Sequence, residues 1–224
     1  AMAAVAAAWA LGIDPATIRQ GLARFVNDAD SAPGRFNLFN YRGATIIADY
    51  GHNPDAIQAL VDAVGNMPAP PESRRTVVIS GAGDRRDEDI RKQTEILGDA
   101  FDRVVLYQDA CQRGRADGEV LALLRQGLQG AERASHVEEI HGEFTAIDHA
   151  LDRLQAGDLC LILIDQVQEA LAHIQQRAAK AKRSRKPRAA KAAAPKKPAA
   201  KTAAKTARST TKLPKSSPCC RTRT

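Results

Sequence analysis

Between residues 36 and 164, short apolar runs rich in β-branched residues alternate with stretches whose apolar positions recur every three or four residues. That alternation narrows the choice of fold more than any other feature of the chain. Strand-sized runs fall at 36–41, 44–48, 76–80, 103–107 and 159–164, with a weaker one near 135–140. Helical spacing occupies 54–66, 86–100, 117–129 and 142–156, and resumes from about 166 to Gln176. Strands separated by helices cannot close as tight hairpins and pair in parallel through crossovers. The predicted fold class is therefore α/β: a mostly parallel, Rossmann-like sheet with helices on both faces. The first two strands are the exception. Only Arg42-Gly43 separates them, so they form an opening antiparallel β-hairpin. About 140 residues in this region suffice for a proper core.

Two segments lie outside the alternation. Residues 2–11 read as an Ala-rich helix ending at Gly12, and Asp14-Pro15 starts a second helix running to about Phe25. This pair has no sheet of its own. At the other end, residues 177–224 hold 17 Lys/Arg and no Asp or Glu, leaving 33 − 17 = 16 basic residues against all 26 acids in residues 1–176. The body is thus −10 and the tail +17, and the overall +7 describes neither. Beyond Gln176 apolar periodicity gives way to Ala, Lys, Pro, Thr and Ser, a composition that predicts a disordered basic tail. Such a tail binds polyanions nonspecifically through counterion release, or serves as a solvated tether. Its removal is expected to leave the fold intact.

Cys111, Cys160, Cys219 and Cys220 lack metal-ligand spacing and suggest no disulfide framework, as suits a reducing cytoplasmic setting. Cys160 sits inside an apolar run and reads as a small core residue. The Ala-rich start lacks the basic flank of a signal peptide. No stretch reaches the roughly 20 apolar residues of a membrane span, so no membrane partner is expected.

Chemistry-bearing residues gather at strand ends. Asp49-Tyr50-Gly51-His52-Asn53-Pro54 joins the second strand to a helix that Pro54 opens. Asp49, His52 and Asn53 therefore stand at the carboxyl end of a strand and the positive end of a helix, where ligands bind in open α/β sheets. Capping of the helix by Asp49 and Asn53 is the plainer alternative. Gly81-Ala82-Gly83-Asp84-Arg85 ends the third strand, but lacks both the third glycine of a dinucleotide fingerprint and the Gly-Lys-Ser/Thr of a P-loop. Asp109, the Arg113-Gly114-Arg115 turn, Asp117 and Glu119 follow the fourth strand. Glu119 is equally a first-turn acid favoured by the helix dipole.

The Asp49–Pro54 string resembles the Asp-x-x-His-Asn-Pro loop that opens the C-terminal domain of the Mur ligase superfamily. These are ATP-dependent amide-forming ligases: peptidoglycan precursor ligases, folylpolyglutamate synthetases and cyanophycin synthetases. Pro33-Gly34-Arg35-Phe36-Asn37 and residues 77–85 are similar to the elements flanking that loop. Residues 109–119 and 157–167 are similar to the cyanophycin synthetase branch. The resemblance covers residues 1 to about 175. It implies the helical end of a central ATPase domain at 1–30, a Mur ligase C-terminal domain at 34–176, and the basic tail at 177–224. It further implies ATP, with Mg2+ ligands mostly in a domain upstream, and a homo-oligomeric complete enzyme.

Within that family the expected nucleotide-binding residues are Asp49, His52, Asn53 and Arg35, with His52 also a catalytic candidate. Arg85, Asp109, Arg113, Arg115 and Glu119 are the expected amino-acid-binding residues, and Arg86 is the neighbour most easily confused with Arg85. The incoming amino acid is expected to be arginine, and the acceptor a cyanophycin chain. Another Mur-type ligase, or an inactive module whose tail binds polyanions, is the alternative. No P-loop occurs and Lys92 is the only lysine before the tail, so the chain alone is not expected to assemble an ATP site.

Overall fold

The last strand among the described residues lies in the middle of the sheet. The structure, a computed structural model, describes residues 2–108 and 111–185. These residues form α1 (Met2–Ala10), α2 (Pro15–Arg24), β1 (Asn37–Tyr41), β2 (Ala44–Asp49), α3 (Pro54–Gly65), β3 (Arg75–Ile79) and α4 (Asp87–Ala100). They continue with β4 (Arg103–Gln108), α5 (Glu119–Gly127), β5 (His136–His141), α6 (Glu143–Arg153), β6 (Leu159–Leu163) and α7 (Val167–Arg185). The strands order as β1-β2-β6-β3-β4-β5. All neighbours are parallel except the β1–β2 hairpin, whose turn residues Arg42 and Gly43 both have positive φ, at 55° and 94°. The mixed, mostly parallel sheet predicted from the alternation is present.

Both faces of the central strands are covered, which is why their sequences run apolar without alternation. On one face Ile46, Ala48, Val78, Tyr107, Cys160 and Ile162 pack with Ile147 and Leu151 of α6 and Leu171 and Ile174 of α7. On the other, Ile47, Val77, Ile79, Leu106, Leu161 and Leu163 meet Ile57 and Leu60 of α3, Ile90 and Leu97 of α4, and Leu124 of α5. Burying each Val, Leu or Ile side chain among them contributes about 1.5–3 kcal/mol. Cys160 is one of these core residues, its thiol pushed up to about 12 by burial. β5 is an edge strand with partly exposed residues, which accounts for its faint sequence signal.

The α1–α2 pair buries none of its residues, and Trp9, Leu11, Leu22 and Phe25 are exposed on or beside it. Among the described residues no helix is long and apolar enough to cross a membrane.

One expectation is corrected. The tail does not begin at 177, because α7 continues to Arg185. The buried stripe of Ala170, Leu171 and Ile174 is extended by Ala178 and Ala181, which were hidden in an Ala/Lys-rich stretch because alanine gives weak periodicity. Arg177 donates to Asp148 (2.9 Å) and the Tyr41 hydroxyl (3.2 Å) and pairs with Asp152, fixing the helix to β1 and α6. The rest of the expected tail, 186–224, lies outside the described residues.

The safe boundary for a shortened chain is therefore Arg185. A chain ending at Gln176 loses Arg177 and two buried alanines and should be destabilised by about 2 kcal/mol or more in urea unfolding. One ending at Arg185 should match the full chain. Equal stability of all three would mean that α7 contributes nothing past Gln176.

Candidate active site

The carboxyl ends of β2, β6, β3 and β4 lie side by side, and each delivers one loop to the same edge. The loop after β2 is set by Asp49, which is only 8% exposed. Its Oδ2 accepts the Phe36 amide at 2.7 Å, holding a residue with φ of 52°. Burial pushes the Asp49 carboxyl up, opposed by that amide and by the charges of Arg35 and His52. Gly51 follows because a Cβ there would meet Leu60 at 3.0 Å and Asp49 Oδ1 at 3.2 Å. Asn53 caps α3, its Oδ1 accepting the Ala56 amide at 2.9 Å, with Pro54 as the first helical residue. Capping by Asn53 is thus real, and Asp49 supports the preceding turn rather than the helix.

His52 is 6% exposed, with its ring centroid 4.4 Å from that of Tyr50. Its Nε2 lies 3.7 Å from Asp165 Oδ1, while its buried Nδ1 has no hydrogen-bond partner of good geometry. Burial holds the imidazole below its ordinary value of 6.5. The Tyr50 backbone and Asp165 pull it back up, and Arg113 and Arg85 add to the lowering. At neutral pH the ring is uncharged, which suits it to hydrogen-bond or stack on a ligand.

The sequence reading missed Asp165. It follows β6, and its position in the middle of the sheet could not be read before the strand order was known. Its backbone amide and that of Gln166 donate to the Glu143 carboxylate, at 2.9 and 3.1 Å, so a buried acid at the start of α6 aims this turn. Arg113, in the left-handed region at φ 49°, reaches Asp165 at 3.0 Å and Asp84 at 3.5 Å. A hydrogen bond with the Tyr50 side chain and the two carboxylates hold its guanidinium charged. One arginine thus ties together the loops after β2, β6, β3 and β4.

Arg115 is spent within the protein. It donates from Nε to the Gly83 carbonyl and from Nη2 to the Arg85 carbonyl, both at 2.7 Å, and pairs with Glu119 at 2.7 Å and Asp87 at 2.8 Å. Arg115 and Glu119 therefore clamp two loops to each other, with neither pointing a free charge at the edge. Gly83 belongs to this clamp: a Cβ there would lie 2.2 Å from the Gln112 carbonyl oxygen. Its glycine serves close packing of loops. Asp117 is likewise engaged, accepting from Gln108 at 2.6 Å.

Arg85 and Arg86 separate cleanly. Arg86 pairs with Asp89 and Glu88 at the start of α4, whereas Arg85 is exposed with no ion pair among the described residues. Arg35 is exposed as well. Asp109 lies outside the described residues. Among the described residues no group of three or more His, Cys, Asp or Glu is placed to hold a metal.

The carboxyl edge is where open α/β sheets generally bind their ligands. The Mur ligase glutamate ligase domain matches residues 34–163, and the chain belongs to that family. The cyanophycin synthetase of Crocosphaera subtropica is 37% identical over 177 residues, covering 79% of this chain and 20% of that protein. A UDP-N-acetylmuramoyl-L-alanyl-D-glutamate–2,6-diaminopimelate ligase of Chlorobaculum tepidum is 32% identical over 155 residues, covering 68% and 28%. The structure of Mycobacterium tuberculosis folylpolyglutamate synthase complexed with ADP and AMPPCP shares the fold, with a TM-score of 0.51 at 21% identity over 72% of this chain and 35% of that one. The chain spans about a fifth of the length of the cyanophycin synthetases it matches.

Because His52 resists protonation in the folded state, the unfolded chain takes the proton first. The stability this residue provides is complete above about pH 6.5 and is lost as pH falls through that value. Unfolding measured from about pH 7.5 to about pH 5.5 should show the wild type converging on His52→Gln as pH falls. Asp49, whose carboxyl burial pushes up, contributes with the opposite sign and is present in both chains. A wild-type-to-variant gap that does not change with pH would show that His52 is not held neutral.

Proposed function

We propose that the chain is the C-terminal domain of an ATP-dependent amide-forming ligase of the cyanophycin synthetase type. In this reading the complete enzyme activates the aspartate β-carboxylate of the growing polymer as an acyl phosphate. The amine of arginine attacks the acyl carbon, the amide bond forms, and phosphate leaves. The observation that favours this member of the family is the run of cyanophycin synthetases matched at 33–37% identity over 79% of the chain.

Each loop has a role in this proposal. Asp49, His52 and Asn53, with Arg35, hold the nucleotide, whose Mg2+ is carried mostly by a preceding central domain. The buried Nδ1 of His52, which has no partner of good geometry among the described residues, fits a ligand that brings its own hydrogen-bonding groups. Arg85, exposed and without an ion pair among the described residues, meets the α-carboxylate of the incoming amino acid with a bidentate fork. Asp165 and Asp84, which hold the Arg113 guanidinium here, offer the carboxylates that a substrate guanidinium requires. Arg115 and Glu119 act as positioning residues, and His52 orients its ligand and does not act as a strong base. Residues 1–30, with exposed Trp9, Leu22 and Phe25, belong to the central domain against which they would pack.

The diaminopimelate ligase relative supplies the second reading, and labelled substrates separate the two. Arginine incorporation into polymer supports the first; exclusive use of diaminopimelate rejects it. In the complete ligase, Arg85→Ala should raise KM for arginine about 10- to 100-fold, the loss of one charge-assisted pair, and leave KM for ATP nearly unchanged. Equal changes in both constants would remove Arg85 from the amino-acid site. The isolated chain should release no phosphate from ATP, because its sequence holds no P-loop. Sustained ATP hydrolysis by the pure chain would contradict this domain assignment.

A further inference from the structure

Opposite charges divide this chain, and the division begins within α7. After Glu169 the sequence contains no Asp or Glu. α7 carries the first of the following cations on a rigid support, and the β1–β2 turn adds Arg42 beside them. Tyr41, Arg42, Arg177, Lys180 and Ala181 line a cavity of about 320 Å³ there. Arg42 lies over the Tyr41 ring at 5.0 Å and Arg177 at 6.0 Å.

The cations of this surface are not equivalent. Arg177 is neutralised by Asp148 and Asp152 and serves the fold. Arg42, Lys180, Lys182 and Arg183 are exposed and pair with no carboxylate among the described residues. With residues 1–176 at net −10, Arg42 included, a polyanion is drawn to this end of the domain and repelled from the rest. The 39 residues 186–224 continue the same sign without interruption, with 33 − 16 − 5 = 12 further Lys/Arg once Arg177, Lys180, Lys182, Arg183 and Arg185 are set aside.

We propose that Arg42, Lys180, Lys182 and Arg183 form a nucleic-acid-binding surface that contacts the phosphodiester backbone. Two observations shape the partner. The Tyr41 ring is buried and covered by guanidinium groups, so no aromatic face is offered for base stacking, and sequence-independent backbone contact is the mode that remains. Past Gln176 Leu213 is the single large apolar residue and no aromatic occurs, so the segment lacks the apolar anchors with which basic helices insert into lipid. The surface lies on the β1–α7 side of the domain and is separate from the carboxyl-edge loops, so it goes beyond the ligase reading and does not depend on it.

The test is binding of the full chain to a labelled duplex of about 20 base pairs across a salt series. Each phosphate neutralised contributes about −0.9 to the slope of log K against log salt. Replacing all four residues, R42A/K180A/K182A/R183A, should make that slope shallower by about 3 to 4 and weaken binding roughly tenfold or more at low salt. The melting temperature should not change, since all four side chains are exposed. An unchanged slope in this variant would overturn the proposal, leaving the sequence beyond Arg185 as the whole of any binding. Tighter binding to anionic lipid vesicles than to duplex at matched charge would overturn it in favour of a membrane. Discrimination of more than about tenfold between duplexes of different sequence would overturn the backbone-only mode.

Discussion

Insertion of β6 between β2 and β3 is the constraint on which the rest of the domain depends. All five of its residues are buried, and it supplies both neighbours with their ladder partners, from Thr45↔Leu159 on one side to Val78↔Ile162 on the other. Without it, β2 and β3 have no contact, and the two apolar layers lose their shared centre. The strand is also the last among the described residues, so the sheet cannot close until nearly the whole domain is present. Its carboxyl end then places Asp165 between the loops of β2 and β3, where no local sequence signal would put it.

Electrostatics at that edge follow from this placement. Asp165 stands close to a buried neutral imidazole and bonded to a charged guanidinium. Removing either carboxylate neighbour leaves Arg113 partly unpaired, whereas the Arg115 clamp depends on carbonyls and on α4 and α5 and survives independently. The edge thus combines a rigid brace, built from Arg115, Glu119 and Gly83, with a set of polar groups whose partners are replaceable. In the proposed site, a ligand carrying a guanidinium or a carboxylate would exchange with Arg113 or meet Arg85 without dismantling the loops that present them.

Much of this was legible in the sequence, for identifiable reasons. Buried strands and amphipathic helices announce themselves by period, and Asn53-Pro54 marks a helix start by capping chemistry alone. The junction of His52 and Arg113 was foreseeable only as two loops at one edge; their meeting through Asp165 required strand order. Arg115 and Glu119 looked like ligand groups because charge in a loop is ambiguous until its partners are seen. The end of α7 was misplaced since Ala178 and Ala181 pack as core residues with too little hydrophobicity to mark a helical face. Arg85 and Arg86 are adjacent and chemically identical, and only the pairing of Arg86 with Asp89 tells them apart.

Hydrogen–deuterium exchange on the complete ligase, with and without a nonhydrolysable ATP analogue and arginine, tests the carboxyl-edge site most directly. Protection should appear in residues 50–54, 82–86, 112–116 and 165–167, and be absent from the amino ends of β3, β4 and β5. Protection at those amino ends, with the four carboxyl-edge loops unchanged, would place the ligands elsewhere and contradict the site described for this domain.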